Sequence, residues 1–453
     1  FFAIDDLRPE LGCYGSTYIK SPKIDRIAER GITFQRAYCQ QAVCSPSRTS
    51  LMTGARPDTT KVWDLVTHFR PALPDIATLP QHFKQHGYFV QGMGKIYHGG
   101  YDDPPTWSVP WQTPDAPVYA HPPVRENASA PKKKAKKNQK NGPPFESADV
   151  ADNFYKDGKT ADLAVTTLRD LARKPEPFFL AVGFSKPHLP FVAPKRYWDL
   201  YDRASIKLAA NPYHPKGAPE YALSNSGELR NYQGMPPDGP IPDDVARRLK
   251  HGYYAATSYT DAQIGKVLDE LERLNLTANT IIVLWGDHGW KLGEHGEWCK
   301  HSNVENDTNA PLLLAAPAMS KTAGKRTDRL VEFVDIYPTL ADLAGLPLPS
   351  HLEGTSFKPL LADPNRNWKP AVFSQYPRAR VMGYSMRTDR YRFTVWVDKQ
   401  DRSRIDAMEL YDHRNDPAEN TNIASEPGNA ALVKKLLEQW RKGWKAARPP
   451  RLS

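Results

Sequence analysis

The feature that most constrains the fold is a short apolar run that stops at charged residues, repeated along the chain. Phe1 to Ile4 stops at Asp5-Asp6, and Thr280 to Trp285 stops at Gly286-Asp287-His288. Two further runs, 88–93 and 177–184, precede Gly94-Lys95-Ile96-Tyr97-His98 and Ser185-Lys186-Pro187-His188. Runs of this length predict buried strands, and parallel strands bring the residues that follow them to one edge of the sheet, where ligands bind.

Helical patterns separate these strands. An amphipathic helix is predicted from Pro22 to Arg30, with proline in its first turn and Gly31 after its end. Further helical patterns cover 78–86, 159–173, 243–274 and 333–344. This alternation predicts an α/β fold in which helices cover both faces of a large, mostly parallel sheet. We expect this domain to span residues 1–355.

The pattern changes beyond Gly354. Short alternating apolar runs occupy 371–376, 381–387 and 391–397, and a basic helix is predicted over 430–447. These features predict a smaller antiparallel α+β subdomain over residues 356–453, packed against the main domain. A chain of 453 residues, 40% of them hydrophobic, can bury a core of this size.

The formal net charge of +10 favours a polyanionic partner, and both nucleic acid and sulfated glycan meet that description. Much of the excess lies in the Lys- and Pro-rich segment 131–144, which contains no aromatic residue. We predict a solvated loop there rather than a binding patch. Because basic and aromatic residues are not interleaved in this segment, the sequence argues against nucleic-acid binding.

The four cysteines, Cys13, Cys39, Cys44 and Cys299, are too few and too scattered to predict a disulfide framework. No apolar run is long enough to span a membrane. The first residues already have the pattern of a buried strand, and no secretory signal precedes them. We therefore expect the natural protein to carry a further N-terminal segment and to be exported, to a periplasmic, extracellular or lysosomal location.

A separate stretch, Cys44-Ser45-Pro46-Ser47-Arg48, predicts an anion site. Small residues and a proline before an apolar run indicate a loop that turns into a helix, with Ser45 or Ser47 as the N-cap. The free N–H groups of a helix start favour an anion, and a guanidinium suits tetrahedral oxyanions. The alternative interpretation is that Cys44 is a buried apolar residue and Arg48 a surface residue.

The context of this stretch favours the anion site. Cys-x-Pro-Ser-Arg, followed by Leu51, Thr53-Gly54 and Arg56, resembles the signature of type I sulfatases, in which the cysteine is oxidised to formylglycine. Flanking segments resemble the iduronate-2-sulfatase branch at 4–9, 11–15, 40–43 and 56–60. The resemblance implies an alkaline phosphatase/sulfatase-like fold, a carbohydrate sulfate ester as substrate, specifically a 2-O-sulfated uronate in an oligosaccharide or polysaccharide, and a maturation enzyme that makes formylglycine from Cys44.

Three carboxylates from two predicted strand ends, Asp5, Asp6 and Asp287, would repel one another without a cation between them. Hard divalent ions prefer such oxygen ligands, although a single aspartate is more often a cap or turn residue. The resemblance implies that these carboxylates bind one calcium ion together with Cys44. It also places His288 in the metal site, although nitrogen is an unusual ligand for calcium.

The resemblance further implies how the site works. One of the two geminal hydroxyls of hydrated formylglycine attacks sulfur and expels the sugar alcohol, and deprotonation of the second releases sulfate. The metal and Arg48 activate and orient the nucleophile, Lys95 and Lys300 hold sulfate oxygens, His98 acts as the base, and His188 protonates the leaving oxygen. For any one of these lysines and histidines, a solvated loop residue is the simpler alternative.

Six further residues are candidates for a rim that stacks on the sugar or pairs with its carboxylate, with core packing as the alternative: Trp290, His295, His301, Tyr376, Arg378 and Arg387. Two rival functions are weighed. A phosphodiesterase or phosphonate hydrolase of the same superfamily would normally use Thr or Ser as nucleophile, where this chain has Cys44. A catalytically silent protein that binds sulfated glycans would result if Cys44 stayed unmodified.

Overall fold

The computed structural model describes residues 1–121, 141–317, 319 and 321–449. Residues 131–140 of the predicted basic loop lie outside these ranges. The strands are β1 (Phe2–Ile4), β2 (Ile32–Phe34), β3 (Ala37–Tyr38), β4 (Phe89–Gly94), β5 (Phe145–Ala148), β6 (Phe178–Phe184), β7 (Phe191–Pro194), β8 (Ile282–Gly286), β9 (Lys291–Leu292), β10 (Trp298–Cys299), β11 (Leu312–Ala315), β12 (Lys325–Thr327), β13 (Val331–Glu332), β14 (Ala371–Arg378), β15 (Val381–Thr388), β16 (Tyr391–Asp398) and β17 (Ile405–Asp412).

The helices are α1 (Pro22–Arg30), α2 (Cys44–Thr53), α3 (Pro57–Thr60), α4 (Leu79–Gln85), α5 (Lys156–Leu171), α6 (Lys195–Trp198), α7 (Gly227–Arg230), α8 (Asp243–Arg273), α9 (Glu305–Thr308), α10 (Ile336–Leu343), α11 (Lys358–Ala362) and α12 (Ala430–Ala446). The predicted helix over 333–344 is in fact a 3-10 turn, Phe333–Asp335, followed by α10. Among the described residues, no helix is long and apolar enough to cross a membrane.

The main sheet has the strand order β12-β2-β11-β8-β1-β6-β4. Strand β11 runs antiparallel to both of its neighbours, whereas the other pairs are parallel. The prediction of a mostly parallel sheet is therefore confirmed. The central strands are apolar along their whole length because a parallel sheet is covered on both faces.

Side chains alternate between two cores, one on each face of this sheet. Phe2 and Ile4 of β1 join a core formed with α1, α5 and α8, whereas Ala3 joins the core formed with α2, α4 and α10. This two-fold period is the one that strand geometry imposes. The sheet thus lies between helices, and its carboxyl edge is left for the loops that follow the strands.

The C-terminal part forms an antiparallel sheet in the order β14-β15-β16-β17. Apolar residues of this sheet, among them Phe393, Val395 and Leu410, pack against Val433 and Leu436 of α12. The predicted combination of a small antiparallel sheet and a terminal basic helix is therefore confirmed. The boundary between residues 355 and 356 stays a prediction.

Candidate active site

The predicted polar clusters meet at the carboxyl edge of the main sheet. Strands β8, β1, β6 and β4 are parallel neighbours in that order. Ile4 of β1 pairs with Gly286 of β8, so the carboxylates that follow them are adjacent, and the backbone N–H of Asp6 donates to Asp287 Oδ1 at 3.0 Å. The turn after β1 is tight, because Asp6 has a φ of 59°, a conformation that aspartate tolerates better than most residues.

Cys44 lies at this edge with its thiol buried. Its Sγ is 3.4 Å from His288 Nε2 and 3.8 Å from Lys95 Nζ. His288 Nδ1 faces the Gly289 carbonyl at 2.9 Å, so Nδ1 donates there and Nε2 is the ring nitrogen that faces the site. Burial, reinforced by the charge of Asp5, raises the pKa of the Cys44 thiol well above its usual value. The unmodified residue is therefore a weak nucleophile.

Helix α2 begins at Cys44 itself. Val43 is its N-cap, and no side chain caps the helix. The prediction that Ser45 or Ser47 caps it is wrong, because both lie inside the first turn. The Ser47 hydroxyl instead donates to the backbone carbonyl of Asp287, which ties α2 to the loop after β8. A helix start without a side-chain cap leaves N–H groups for an anion at residue 44.

Arg48 is fully buried and holds the carboxylates in place. Its Nε donates to Asp287 Oδ2 at 2.9 Å, and its Nη2 donates to Asp5 Oδ1 at 3.1 Å. Its Nη1 donates to the backbone carbonyls of Lys95 and Ile96. The guanidinium is thus committed to two carboxylates and to the chain after β4, so Arg48 orients the site from within the protein.

Two lysines compensate the aspartates that follow β1. Lys95 Nζ donates to Asp5, and Lys300 Nζ lies 3.1 and 3.2 Å from the two carboxylate oxygens of Asp6. Burial would raise the pKa of Asp5. The surrounding positive charges, above all that of Lys95, outweigh burial and hold the pKa well below its usual value. At Asp6 burial dominates and the pKa is raised despite Lys300.

These donors fit a divalent cation. Ligand atoms within 4.8 Å of one another are provided by Asp5, Asp6, Cys44 and His188, and by Cys44, Asp287 and His288. Buried carboxylates are the hard oxygen ligands that calcium prefers. The predicted metal residues are thus brought together by the fold.

The two predicted proton-transfer histidines lie in opposite electrostatic settings. His98 follows β4, and its Nδ1 is buried with no hydrogen-bond partner in the described part of the chain. Burial and the charge of Lys95 lower the pKa of His98 to about 4. His188 follows β6, and although its burial would lower its pKa, Asp6 and other acidic neighbours raise it above the usual value. Histidines whose pKa values are pushed apart suit a base and an acid.

Glu228 is a site residue that the sequence did not identify. It lies on α7, where its carboxylate is 3.0 Å from Lys300 Nζ, 3.1 Å from His188 Nε2 and 3.3 Å from His301 Nε2. Burial would raise its pKa, but Lys300 and His188 hold that pKa well below its usual value. Because α7 is a single turn in an irregular region, no sequence periodicity marks this glutamate.

The predicted rim residues fall into two groups. His301 and Tyr376 lie beside the site, with His301 Nδ1 2.9 Å from the Tyr376 hydroxyl. Trp290 and His295 are completely buried, so the prediction that they contact a sugar at the rim is wrong. Trp290 instead packs against Lys300, whose Nζ lies 4.8 Å from the ring centroid.

The two arginines predicted at the rim, Arg378 and Arg387, bind other groups of the protein. Arg378 donates to the backbone carbonyls of Tyr221, Ala222 and His301. Arg387 is buried at the junction with the C-terminal sheet and pairs with Glu305. The prediction that Arg387 binds a uronate carboxylate is therefore wrong, because burial and the ion pair withhold its guanidinium.

Comparison with known sequences agrees with this geometry. A family model described as sulfatase matches residues 1–346, and one described as N-sulphoglucosamine sulphohydrolase, C-terminal, matches residues 293–445. Iduronate 2-sulfatase of Mus musculus is 36% identical over 96% of this chain and 92% of its own length. Iduronate 2-sulfatase of Homo sapiens is 34% identical over the same shares. A sulfatase of Formosa agariphila is 29% identical over 98% of this chain and 87% of its own length.

Solved structures share the fold. A structure in complex with its substrate D-glucosamine-2-N,6-O-disulfate covers 99% of this chain and 98% of its own at 23% identity, with a TM-score of 0.76. The phosphonate monoester hydrolase from Silicibacter pomeroyi covers 99% of this chain and 95% of its own at 20% identity, with a TM-score of 0.76. The predicted fold class and the resemblance to iduronate-2-sulfatase are confirmed. Because a sulfatase model covers residues 1–346 and relatives above 30% identity span 96% of the chain, the chain belongs to the sulfatase family and is a sulfuric ester hydrolase.

Proposed function

We propose that this sulfatase removes the 2-O-sulfate from a uronate residue of a sulfated glycan, with residue 44 as the nucleophile after its oxidation to formylglycine. The observation that carries the proposal is the position of Cys44 at the start of α2, among buried carboxylates and beside Lys95. Support for the uronate comes from the two relatives named iduronate 2-sulfatase, which match 96% of this chain.

Asp5, Asp6, Asp287 and residue 44 would hold one calcium ion, with His288 beside them. Bound there, the ion would acidify the nucleophile and polarise a sulfate oxygen. With that cation in place, Lys95 and Lys300 no longer have to compensate Asp5 and Asp6. Their ammonium groups can then bind sulfate oxygens, as charge-assisted hydrogen bonds favour.

Proton transfer falls to the two histidines. With its pKa lowered to about 4, His98 is neutral near pH 7, so its lone pair can accept a proton from the nucleophile. His188 Nδ1 lies 2.6 Å from the Leu189 carbonyl and holds one ring proton. The raised pKa favours a second proton at Nε2, 3.1 Å from Glu228, and this is the proton that His188 can give to the leaving sugar oxygen. Glu228 holds both His188 and Lys300, and thereby positions the acid relative to a group that binds sulfate.

The proposal requires a maturation enzyme that converts Cys44 to formylglycine. It also places the protein outside the cytoplasm, because the substrate class is an extracellular or lysosomal polymer. Both points follow from the proposed chemistry.

The test of the nucleophile is mass spectrometry of the tryptic peptide from Ala37 to Arg48 after alkylation of free thiols. This peptide also contains Cys39, a second buried cysteine that lies between β3 and α2. Cys39 serves as an internal control. We expect an alkylated thiol at Cys39 and an aldehyde at residue 44. An alkylated thiol at both positions, in protein from its native host, would contradict the proposal and favour a silent glycan-binding protein.

The substrate is tested with matched disaccharides that carry one sulfate, either on the uronate 2-oxygen or on the hexosamine 6-oxygen. We expect release of sulfate from the first at a much higher kcat/KM than from the second. A phosphonate monoester is assayed in parallel, because phosphonate hydrolases share the fold. Preference for the phosphonate would overturn the proposed reaction class, and preference for the 6-sulfate would overturn the proposed position only.

A further inference from the structure

A cavity of about 260 Å³ lies between the main domain and the C-terminal sheet. It is lined by residues of both parts, among them Gln40 and Arg56 on one side and Tyr384, Trp440 and Trp444 on the other. Its lining includes none of the candidate active-site residues. Pockets for drug-sized ligands are about 300–1,000 Å³, so this cavity suits a single sugar ring.

Two buried donors that line the cavity lack partners. Gln40 is 1% exposed, and its Oε1 accepts from the Val334 backbone N–H, but its Nε2 has no partner within the described residues. Arg56 is 6% exposed, and its Nη2 pairs with Glu332, but its Nε likewise has no partner there. Buried donors of this kind are costly unless a ligand or water accepts from them.

The carboxylates that line the cavity are already satisfied. Asp58 accepts from Trp63, Gln375 and Tyr384. Glu353 accepts from the Arg56 backbone N–H and from a threonine hydroxyl. The unmet demand in the cavity is therefore for hydrogen-bond acceptors, so its ligand should present oxygen atoms such as hydroxyl, carboxylate or sulfate oxygens.

Aromatic rings also line this cavity. Trp440 and Trp444 come from α12 and Tyr384 from β15, and the Arg56 guanidinium lies 4.8 Å from the Trp444 ring centroid. Large aromatic rings offer apolar area to the C–H faces of a sugar while their polar edges still bond. Buried donors and apolar rings in one lining are the two kinds of contact that a pyranose ring needs.

Exposed basic residues occur on α12, the helix that also contributes Trp440 and Trp444 to the cavity. Lys434 and Arg441 are seven residues apart, as are Lys435 and Lys442, so each pair lies on one helix face, and all four are exposed. Glu438 is the acidic residue of this stretch. A basic helix face is usually just solvated, but this one belongs to the helix that lines a cavity with buried donors that have no partner among the described residues.

We propose that this cavity is a second glycan site, which binds one sugar residue of a sulfated chain while the basic face of α12 binds the sulfates of the neighbouring residues. The inference rests on the proposed substrate class. Such a site raises the affinity of the enzyme for a long chain, whereas a disaccharide is too short to occupy both sites.

The test compares a sulfated disaccharide with a long sulfated chain as substrates of the full protein. Trp444→Ala removes part of the aromatic wall beyond Gly443, where α12 is already broken by a φ of 66°, so the helix packing is preserved. We expect the KM for the long chain to rise about ten-fold, the loss typical of a buried aromatic contact, with disaccharide kinetics unchanged. Trp444→Tyr keeps a ring and should retain most of the affinity.

Charge reversal tests the basic face separately. The double variant Lys434→Glu/Lys435→Glu should raise the KM for the long chain and weaken its dependence on salt. Its matched control is Lys20→Glu/Lys325→Glu, which makes the same change of net charge at exposed lysines elsewhere. Equal effects of both double variants would show a general charge effect and overturn the role of α12.

The outcomes separate this site from the proposed reaction. An unchanged KM for the long chain in Trp444→Ala, with normal disaccharide hydrolysis, overturns the second site and leaves the proposed function intact. If the wild-type protein hydrolyses no sulfated sugar, calorimetric titration with a heparin hexasaccharide decides the matter. Binding that Trp444→Ala abolishes supports the cavity, whereas binding equal in both proteins, or absent from both, overturns it.

Discussion

Two buried charge clusters in this protein resemble each other in composition and differ in what they can do. The active-site cluster contains Asp5, Asp6 and Asp287 with Arg48, Lys95 and Lys300. The junction cluster, between the main domain and the C-terminal sheet, contains Glu305, Glu419 and His413 with Arg387 and Arg392. Potential metal ligands lie within 4.8 Å of one another in both: four (Asp5, Asp6, Cys44, His188) and three (Cys44, Asp287, His288) at the active site, and three (Glu305, His413, Glu419) at the junction.

The difference lies in how the carboxylates are compensated. Arg392 pairs with both Glu305 and Glu419, and the cations around Glu305 outweigh its burial and lower its pKa to about 2. At the active site, Asp6 faces a lysine and its pKa is raised instead. The active site also contains an arginine fork, because Arg48 pairs with Asp5 and Asp287. The clusters differ at Asp6, whose partner is a lysine, a single point charge rather than a guanidinium.

The largest contrast between the clusters should come from Cys44→Ala. Removal of a nucleophile lowers kcat by about 10⁴-fold to 10⁶-fold in hydrolases that use one. The free energy of unfolding should change little, because the side chain is small and the proposed role is chemical. Sulfate release from the 2-O-sulfated disaccharide and urea denaturation measure the two quantities. Residual activity near the wild-type level would exclude residue 44 as the nucleophile.

The junction cluster should show the reverse behaviour. Arg392→Met leaves Glu305 and Glu419 buried without their shared guanidinium, and breaking a buried ion pair in this way costs about 3–5 kcal/mol of stability. Urea denaturation measures this loss, and kcat per folded molecule should stay unchanged. A loss of kcat in protein that remains folded would show that the two clusters are coupled.

Stabilisation by bound calcium should also distinguish the two clusters. An ion that binds only the folded state stabilises it by about 2.7 kcal/mol at one hundred times its Kd. We expect added calcium to raise the melting temperature of the metal-stripped protein, and Asp287→Asn to abolish the increase. The matched control is Glu419→Gln at the junction, which should keep the increase. An increase that survives Asp287→Asn would place the ion elsewhere.

Much of this arrangement could be predicted from the sequence, because it depends on local patterns. The apolar runs before Asp5, Lys95 and Asp287 determined which side chains meet at the sheet edge. The C-terminal sheet followed from alternation alone. Helix α1 has the predicted bounds, since a proline and a glycine mark its ends.

What the sequence did not reveal depends on contacts between distant segments. Glu228 reaches His188 and Lys300 from a single-turn helix that no periodicity marks. For Trp290 and Arg387 the sequence left a rim position and core packing open, because a sequence pattern does not show what covers a loop; the fold buries both. The predicted serine cap failed because α2 begins one residue earlier than Ser45, so the capping position falls on Val43.

Glu228→Gln tests whether the acidic residue that the sequence missed acts through its neighbours. Hydrogen bonds to charged groups contribute about 1.5–3 kcal/mol, so we expect kcat to fall by about ten-fold to one hundred-fold. Glu228→Asp, which keeps the charge, should recover part of the loss. A purely structural role would instead lower the melting temperature equally in both variants and leave the kcat of the folded protein unchanged.

The smallest effect concerns pH. His98 must be neutral to accept a proton, and its pKa is lowered to about 4, so kcat/KM should rise with pH through about 4 rather than near the usual 6.5. At the junction, the pKa of Glu305 is lowered from 4.5 to about 2, so its stabilisation is complete above pH 4.5 and is lost as pH falls toward 2. Brief exposure to pH 4 followed by assay at pH 7 separates loss of activity by protonation of His98 from loss by unfolding at the junction. Protonation of His98 reverses at once, whereas unfolding need not reverse. If kcat/KM instead falls as the pH drops through about 6.5, His98 is not the base.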